Sequence, residues 1–312
     1  MFGRRRAYLK KAAIADFDGI CSGDITVIEA IPGKVDPLLL PFIIQNDKFF
    51  DYAVSRSAGG LSPRVKWEHL KDYEFDLPPI EEQRILADKL WAAYRLKESY
   101  KKLLTATQEM VKSQFIEIFY GMETTPVKDY IDDSFPGEWG TEDKDGNGVK
   151  VIRTTNFTNS GKLNLADVVT RSIEDRKVVR KQIKKYDTIL ERSGGTADNP
   201  VGRVVLFEED NLFLCNNFTQ VLRFKDVDPR FAFYALYYFY QTNRTAIRSM
   251  GSKTTGIQNL NMSKYLEIGI PNASDEDQKA FVTIAEQADK SEFELRKSIE
   301  AIDQVIKSLI NN

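Results

Sequence analysis

The stretch "GSKTTGIQNLN", from Gly251 to Asn261, concentrates polar side chains between glycines immediately before an apolar run. Gln258 and Asn259 carry amides that match the hydrogen-bonding edge of adenine, and a lysine ammonium suits a phosphate oxygen. These residue types predict a loop that reads bases in a DNA groove, with Lys253, Thr254, Thr255, Gln258 and Asn259 as the candidate contacts. An ordinary polar surface loop is the alternative interpretation.

Three other polar segments have a similar composition and are rival candidates for DNA contact. "IRTTNF" contains Arg153 and Asn156, and "ERSGGTADN" contains Arg192. "AGGLSPRVKWEHL" contains Arg64 and Lys66 after a pair of glycines. Because arginine, lysine and asparagine side chains supply most contacts to phosphates and base edges, each of these five residues is a candidate DNA-binding residue.

A search for the residues that catalysis would require finds none. The sequence contains no P-loop, no Asn/Asp-Pro-Pro-Tyr/Phe motif and no glycine-rich dinucleotide loop. "DKDGNG" imitates the first half of a calcium-binding loop, but Thr154 stands where a bidentate glutamate is needed. Cys21, Cys215 and His69 form no disulfide framework, zinc site or nucleophile signature, and we expect both cysteines to be small buried residues. We therefore predict no catalytic residue, no metal and no cofactor.

The composition describes about two globular domains rather than a polybasic nucleic-acid-binding tail. The chain has 312 residues, 42% of them hydrophobic, and a net charge of −2. Basic residues concentrate in "RRRAYLKK" and "RSIEDRKVVRKQIKK", which leaves local patches that can bind phosphates. The longest apolar stretches are too short to span a membrane, and "MFGRRRAYLKK" lacks the apolar region of a secretory signal. The expected location is the cytoplasm, without membrane contact.

The region after Gly121 alternates apolar and polar residues in the period of β-strands. Strands are predicted in "VKVIRTTNF", "DTILERS", "GRVVLF", "LFLCNNFTQVLRF" and "YLEIGIP", separated by Gly, Asn, Asp and Pro turns. "PRFAFYALYYFYQTNRTAIRSM" is predicted to be one helix with an aromatic, buried face. The sequence therefore predicts an α+β domain in front of a long helix.

Two long segments without glycine or proline predict helices over residues 80–121 and 275–312. Pro79 and the acidic residues that follow suit a first helical turn, and Ser274 with Asp277 resembles a capping box. Apolar residues recur at three- and four-residue spacings, which is typical of a coiled-coil stripe. We predict that the two helices, roughly 55 Å long, pair as an antiparallel coiled coil. The seam and partner-docking residues would be Leu90, Tyr100, Leu104, Leu295, Ile299, Ile302 and Ile306.

The two halves of the chain repeat one another at an offset of 192 to 195 residues. Asp36-Pro37 matches Asp228-Pro229, and Cys21 upstream matches Cys215. Downstream, "DLPPIEEQ" matches "GIPNASDEDQ", and each of these motifs leads into one of the long helices. Because so many anchors occur in the same order, we interpret the chain as a tandem duplication.

The basic first segment, the glycine-rich loop before "DLPPIEEQ" and the long helix after it resemble the specificity subunit of type I restriction-modification systems. "LPPIEEQ" followed by a long helix is the most specific of these motifs. The resemblance covers essentially the whole chain. It implies two target-recognition domains that each read half of a split double-stranded DNA site. It also implies two spacer helices that dock two methyltransferase (M) subunits, with restriction/translocase (R) subunits joining that core and catalysis residing on the partners.

On this resemblance, four segments follow one another. Residues 1–79 are the first recognition domain, 80–121 the first spacer helix, 122–274 the second recognition domain and 275–312 the second spacer helix. The second domain begins with about seventy residues that have no counterpart in the first. We therefore expect the first domain to be truncated and its segment from Phe2 to Lys11 to be an interior strand without neighbours. A helical assembly adaptor that does not read DNA, an inactive recombination cassette and an enzyme with an unrecognised site are the alternatives.

Overall fold

The computed structural model describes residues 1–196, 198–254 and 257–311. The chain forms two compact units. Unit 1 comprises residues 1–107 together with the C-terminal stretch from Lys290, and unit 2 comprises residues 108–289. Each unit contains a globular part and sections of both long helices. Within the described ranges, none of the helices combines the length and the hydropathy that a bilayer span requires.

Unit 1 opens with a small antiparallel sheet that packs on short helices. Its elements are β1 (Phe2–Gly3), a 3-10 turn (Ala7–Leu9), β2 (Ile25–Thr26), α1 (Leu40–Gln45), α2 (Asp47–Ser55) and α3 (Trp67–Leu70). Phe2 is fully buried, and its ring lies 5.4 Å from that of Phe49 and 5.7 Å from that of Phe50. The expectation that this segment lacks neighbours is wrong, because Phe2 pairs with Thr26 in β2 and bridges to Ala12.

Unit 2 contains the larger set of strands, and the first long helix, α4 (Ile80–Phe119), leads into it. The hydrogen-bonded strand orders of its sheets are β10-β8-β12-β4, β11-β6-β7-β5, β13-β14-β9 and β15-β3. Neighbouring strands in these sheets are antiparallel, except β6 and β11, which are parallel. Their bounds are β3 (Thr124–Pro126), β4 (Ile131–Pro136), β5 (Thr141–Glu142), β6 (Val149–Ile152), β7 (Val169–Ser172), β8 (Thr188–Glu191), β9 (Ser193–Gly194), β10 (Val204–Leu206), β11 (Phe213–Cys215), β12 (Thr219–Phe224), β13 (Gly251–Thr254), β14 (Ile257–Leu260) and β15 (Gly269–Pro271). The helices are α5 (Asp175–Lys181), α6 (Pro229–Thr242), α7 (Arg244–Met250), α8 (Met262–Tyr265) and the second long helix, α9 (Asp275–Asn311); 3-10 turns lie at Val127–Tyr130 and Thr154–Asn156.

Alternation along the strands divides unit 2 between two apolar cores. Ile189, Val205 and Val221 point into a core that the two four-stranded sheets share. The alternate residues Leu190 and Leu222 point into a second core with α6 and both long helices. The β10-β8-β12-β4 sheet is therefore covered on both faces.

Three predicted elements have different limits in the structure. The single helix predicted from Pro229 is two helices, since α6 ends at Thr242 and α7 begins at Arg244. "LFLCNNFTQVLRF" forms β11 and β12, joined by a turn, rather than one strand. Tyr265 ends α8, so only Gly269–Pro271 of "YLEIGIP" is a strand.

The long helices begin as their sequences predict. The Ser274 hydroxyl accepts a hydrogen bond from the Asp277 N–H at 3.2 Å and donates one to the Asp277 carboxylate at 2.6 Å. Three acidic residues lie in the first turn of α9, and Glu81 and Glu82 lie in that of α4, where the helix dipole favours negative charge. Helix α4 ends at Phe119, two residues before the predicted limit, and Gly121 follows with a φ of +83°.

Helices α4 and α9 pack against each other in both units. In unit 1, Leu90 of α4 belongs to an apolar cluster that Ile306 of α9 joins. In unit 2, Phe115 of α4 lies 5.2 Å from Phe281 of α9, measured between ring centroids. As residue numbers rise along α4, the residues that it contacts in α9 have falling numbers, so the two helices run antiparallel. The predicted fold class, α+β with a pair of long antiparallel helices, is confirmed.

The backbone of unit 1 reproduces part of unit 2 register by register. In unit 1, Gly3 of β1 pairs with Ile25 of β2. The equivalent pair in unit 2 is Glu191 of β8 with Thr219 of β12. The Val65 N–H donates to the Arg4 carbonyl at 2.9 Å, as the Leu260 N–H donates to the Arg192 carbonyl at 2.8 Å. The bridge between Arg5 and Arg64 corresponds to the pairing of Ser193 with Asn259. The repeated sequence is therefore a repeated structure.

Candidate nucleic-acid interface

Residues Gly251–Thr254 and Ile257–Leu260 form two paired strands and Asn261 caps the helix that follows, so the prediction of a loop is wrong for these residues. Strands β13 and β14 pair antiparallel, so the backbone of Lys253 faces Gln258 and that of Thr254 faces Ile257. Strand β14 also pairs with β9 on its other side, which makes it the central strand of three. The candidate residues Gln258 and Asn259 thus stand on a paired strand, whereas Thr255 lies outside the described residues.

The amide of Asn259 is anchored from the neighbouring strand. The Ser193 hydroxyl donates to Asn259 Oδ1 at 2.8 Å, and both side chains are largely shielded from solvent. Gln258 is half-buried one position away, opposite Gly194. At Gly195, φ is +61° and an added Cβ would lie 2.8 Å from the Val201 nitrogen, so this backbone requires glycine. The glycines of "ERSGG" therefore bring the chain close to the amides of β14.

Arg192 belongs to a second hydrogen-bonded group beside the first. Its Nη1 donates to Gln220 Oε1 at 3.4 Å, and Gln220 Nε2 donates to Ser134 Oγ at 2.8 Å. We call Ser134, Arg192, Ser193, Gln220, Gln258 and Asn259 the polar cluster. Its members come from β4, β9, β12, β14 and the junction of β8 and β9. Sequence inspection identified three of them and missed Ser134, Ser193 and Gln220.

A buried ion pair supports the junction from which Arg192 projects. Arg203 Nε lies 2.7 Å from Glu191 Oε2, and both side chains are shielded from solvent. Arg203 Nη2 also donates to the Thr154 carbonyl at 3.4 Å. The charged pair thus ties β8 to the segment that follows β6. Glu191 stood in the quoted "ERSGG" motif, but nothing in the local sequence indicated a partner twelve residues further on.

Asn156 and Arg153 lie in a tight turn that uses most of their hydrogen-bonding capacity. Asn156 is only 3% exposed, and its Oδ1 accepts from the Arg153 N–H at 2.8 Å. Its Nδ2 donates to the carbonyls of Asn164 and Asp167. Asn156 therefore uses its amide to hold this turn together, and its contact with DNA stays a prediction. Arg153 Nη2 binds the carboxylate and the carbonyl of Asp167, both at 3.0 Å.

In unit 1, the positions equivalent to Ser193 and Asn259 carry arginine. Arg64 bridges to Arg5 through the backbone, and Arg64 Nη2 lies 3.0 Å from Asp24 Oδ1. Arg5 lies 3.6 Å from the same carboxylate and donates to Ser62 Oγ at 2.6 Å. Lys66 is exposed at the start of α3. Unit 1 thus presents guanidinium groups where unit 2 presents the Ser193 hydroxyl and the Asn259 amide.

Comparison with known proteins places this geometry in a family. The family model described as the type I restriction modification DNA specificity domain matches residues 133–304, which is more than half of the chain. This chain belongs to that family. The matched range contains every residue of the polar cluster.

Individual relatives agree with this assignment. The chain is 24% identical over 142 residues to the EcoDI type I restriction enzyme specificity subunit of Escherichia coli, a match covering 44% of this chain and 31% of that protein. The solved S subunit from M. genitalium shares 13% identity with a TM-score of 0.55, covering 90% of this chain and 73% of that one. A chain solved in work on assembly and conformational transition of the type I system shares 17% identity with a TM-score of 0.58, covering 99% and 80%. At these identities the structural likeness shows the fold.

In this DNA specificity domain, the basic run around α5 is largely paired with acidic residues. Lys181 lies 2.9 Å from Glu138, and Arg180 lies 2.9 Å from Asp133. The hydrogen bond from Lys181 holds the pKa of Glu138 below its usual range. Lys185 binds Asp210 at 3.0 Å, and this hydrogen bond raises the pKa of the lysine. The net positive field of α5 is therefore smaller than the sequence suggests.

The described residues of this family member contain no group of three or more His, Cys, Asp or Glu side chains that could hold a metal ion. Cys215 is buried, and burial raises the pKa of its thiol to about 12, so it stays protonated at neutral pH. Cys21 is exposed, which corrects the expectation that both cysteines are buried.

The predicted seam residues are distributed along both long helices. Leu90 is fully buried, whereas the other six are half-buried: Tyr100, Leu104, Leu295, Ile299, Ile302 and Ile306. An ion pair joins Lys97 of α4 to Asp303 of α9 alongside them. Their half-exposed state leaves apolar area for a further partner, which stays a prediction.

Proposed function

We propose that this chain is the non-catalytic DNA-specificity subunit of a type I restriction-modification complex. In this proposal the two units contact the two halves of a split double-stranded DNA site. The long helices dock two methyltransferase (M) subunits, and restriction/translocase (R) subunits join that core. The complex works on cellular DNA, so its location is the cytoplasm. The match of the specificity-domain family to residues 133–304 carries the proposal.

The polar cluster supports unit 2 as the half that reads bases. Base reading needs amide or guanidinium groups held at fixed positions, because misplaced donors cannot discriminate one base edge from another. Asn259 and Gln258 stand on the central strand of a sheet, and Asn259 is anchored by Ser193. Arg192 lies beside them on Gln220. Lys253, in the hairpin strand opposite Gln258, is proposed to contact a phosphate.

Substitution of single residues tests which side chains recognise bases and which bind phosphate. Asn259→Ala or Gln258→Ala should weaken binding by about 1–3 kcal/mol at one base pair and relax specificity there. Lys253→Ala should weaken binding to every sequence alike and reduce the salt dependence by about one charge. The variants would be titrated against matched and singly mismatched duplexes at several salt concentrations. Lys264→Ala, which removes an exposed lysine in α8 nearby, is the control.

The same measurements distinguish the alternatives. The chain with its M partner should direct adenine methylation to a specific site, and the chain alone should neither cut nor methylate DNA. Methyl transfer by the chain alone, with a cofactor supplied, contradicts the non-catalytic role. Uniform loss of affinity in Asn259→Ala, Gln258→Ala and Lys253→Ala, with an unchanged salt slope, would mean that β13 and β14 support the fold and that other residues read the bases. An assembled complex without sequence preference would favour the adaptor.

A further inference from the structure

A buried glutamine occupies the fourth position of each long helix and makes nearly the same contacts. In unit 2, Gln278 Oε1 accepts from the backbone N–H of Asp228 at 2.9 Å, and Gln278 Nε2 donates to the Ala273 carbonyl at 2.9 Å. In unit 1, Gln83 Oε1 accepts from the N–H of Asp36 at 2.9 Å, and its Nε2 donates to the Pro78 carbonyl at 2.8 Å. These are the glutamines that end the two repeated motifs.

The chemistry of the position explains why it holds glutamine. The amide must accept at one end and donate at the other, and both glutamines are nearly inaccessible to water, at 2% and 7% exposure. Glutamate would lose the donor, methionine would lose both functions, and asparagine would be one methylene too short. Each loss strands a buried backbone group without a partner, which is unfavourable. The glutamine therefore ties the segment before its helix to the aspartate of the Asp-Pro pair.

The aspartate on the other side of this tie is the N-cap of α6 in unit 2, and in unit 1 it closes the turn that precedes α1. Asp228 Oδ1 accepts from the Arg230 N–H at 2.9 Å, and Asp36 Oδ1 accepts from the Leu38 N–H at 2.8 Å. Burial would raise the pKa of Asp228, but hydrogen bonds and charge from Arg230 outweigh it and keep that pKa below its usual range. The tie thus ends on the start of α6 in unit 2 and on the turn before α1 in unit 1.

A second contact, eight residues further along each long helix, completes the attachment. In unit 1, Trp91 Nε1 donates to the Leu38 carbonyl at 2.9 Å. In unit 2, Glu286 accepts from Arg230 at 2.6 Å. The partners are equivalent in the repeat although their chemistry differs. Eight residues span about 12 Å of helix. Two contacts at that separation restrict rotation of the globular part relative to its long helix, whereas a single contact would allow it.

We infer that Gln83 and Gln278 are positioning residues that fix the angle of each recognition domain on its long helix. This inference rests on the proposed function, since the angle would determine which separation of DNA half-sites the subunit accepts. The separation of half-sites that the subunit accepts would then depend on these two buried glutamines as well as on the length of the long helices. Loss of one anchor should leave the reading residues intact while broadening the range of spacings tolerated.

The test compares methylation by the full complex at sites that differ only in the spacer. The substrates carry the same two half-sites with the native spacer or a spacer changed by one base pair. For Gln278→Met, the ratio of native to altered methylation rates should fall about tenfold, the change expected from losing about one net hydrogen bond. Gln278→Asn should act in the same direction. Glu276→Gln, an exposed change in the same helical turn, should keep the wild-type ratio.

Each outcome bears on the inference separately from the proposed function. A folded Gln278→Met or Gln278→Asn complex, verified by its thermal melt, with the wild-type ratio overturns the inference. So does a failure of both variants to fold, because the residue would then serve stability alone. A wild-type complex without a preferred sequence or spacing overturns the proposed function instead. Gln83→Met repeats the test in unit 1, with Glu82→Gln as its exposed control.

Discussion

Units 1 and 2 share one backbone arrangement but surround it differently. In both, a strand pairs with its neighbour in the same register, and a buried glutamine accepts a hydrogen bond from the backbone N–H of the aspartate in an Asp-Pro pair. In unit 2, the strand face that carries Val221 is covered by residues of β4, β6 and β11, and Val221 is fully buried. The equivalent Val27 in unit 1 is 56% exposed. The shared arrangement of strands and helices therefore forms with or without the second layer.

The chemistry at equivalent positions differs as much as the packing. Unit 2 pairs Ser193 with Asn259, whereas unit 1 pairs Arg5 with Arg64. Guanidinium groups tethered to the half-buried Asp24 suit phosphate contact, and an anchored amide suits a base edge. The comparison teaches that duplication preserves the attachment to the helices while the residues at these paired strand positions differ.

The largest expected effect comes from placing a charge on the two equivalent valines. Val221→Asp should destabilise unit 2 by several kcal/mol, because an unpaired carboxylate would be buried in a core. Val27→Asp should change stability by less than about 0.5 kcal/mol, since that position is exposed. Denaturant unfolding of both variants checks this difference. Equal destabilisation would show that the face carrying Val27 is covered in solution.

An intermediate effect, dependent on pH, is expected for Gln278→Glu. Burial raises the folded-state pKa of the introduced carboxyl above its unfolded value. The variant should lose about 1–3 kcal/mol relative to wild type at pH above that raised pKa. The deficit should shrink as pH falls and vanish below the unfolded pKa of glutamate, near 4.3.

The control for this experiment is the wild-type chain at each pH. Asp228, whose folded pKa is depressed, stabilises the fold above its unfolded pKa and loses that contribution as pH falls. This term is common to both chains, so it cancels in their difference in melting temperature. A deficit that is constant across pH would mean that residue 278 lies in contact with water.

The smallest effect is expected from the arginine pair of unit 1. Arg64→Ala should weaken DNA binding uniformly across sequences and lower the salt slope by about one charge. Asn259→Ala, at the equivalent position of unit 2, should instead act at one base pair. Binding measured over a salt series with matched and mismatched duplexes separates the two. Sequence-dependent loss in Arg64→Ala would show that unit 1 also reads bases.

The sequence alone determined the features that depend on local pattern or on repetition. An uninterrupted apolar period and acidic first turns specify α4 and α9, because each helix satisfies its backbone hydrogen bonds within itself. The repeated motifs predicted two equivalent units, and the residues that resemble a family indicated the function. These signals need no knowledge of distant partners.

Only the tertiary structure decided what each polar side chain does. Asn156 and Asn259 looked alike as candidates, but one is buried within a turn and the other stands on a paired strand. Glu191, Ser193 and Gln220 acquire their roles from residues 12, 66 and 86 positions away. A local pattern records which hydrogen-bonding groups a residue carries. Which group it meets is decided by the packing of the elements, because the free energy of burial selects partners across the whole chain.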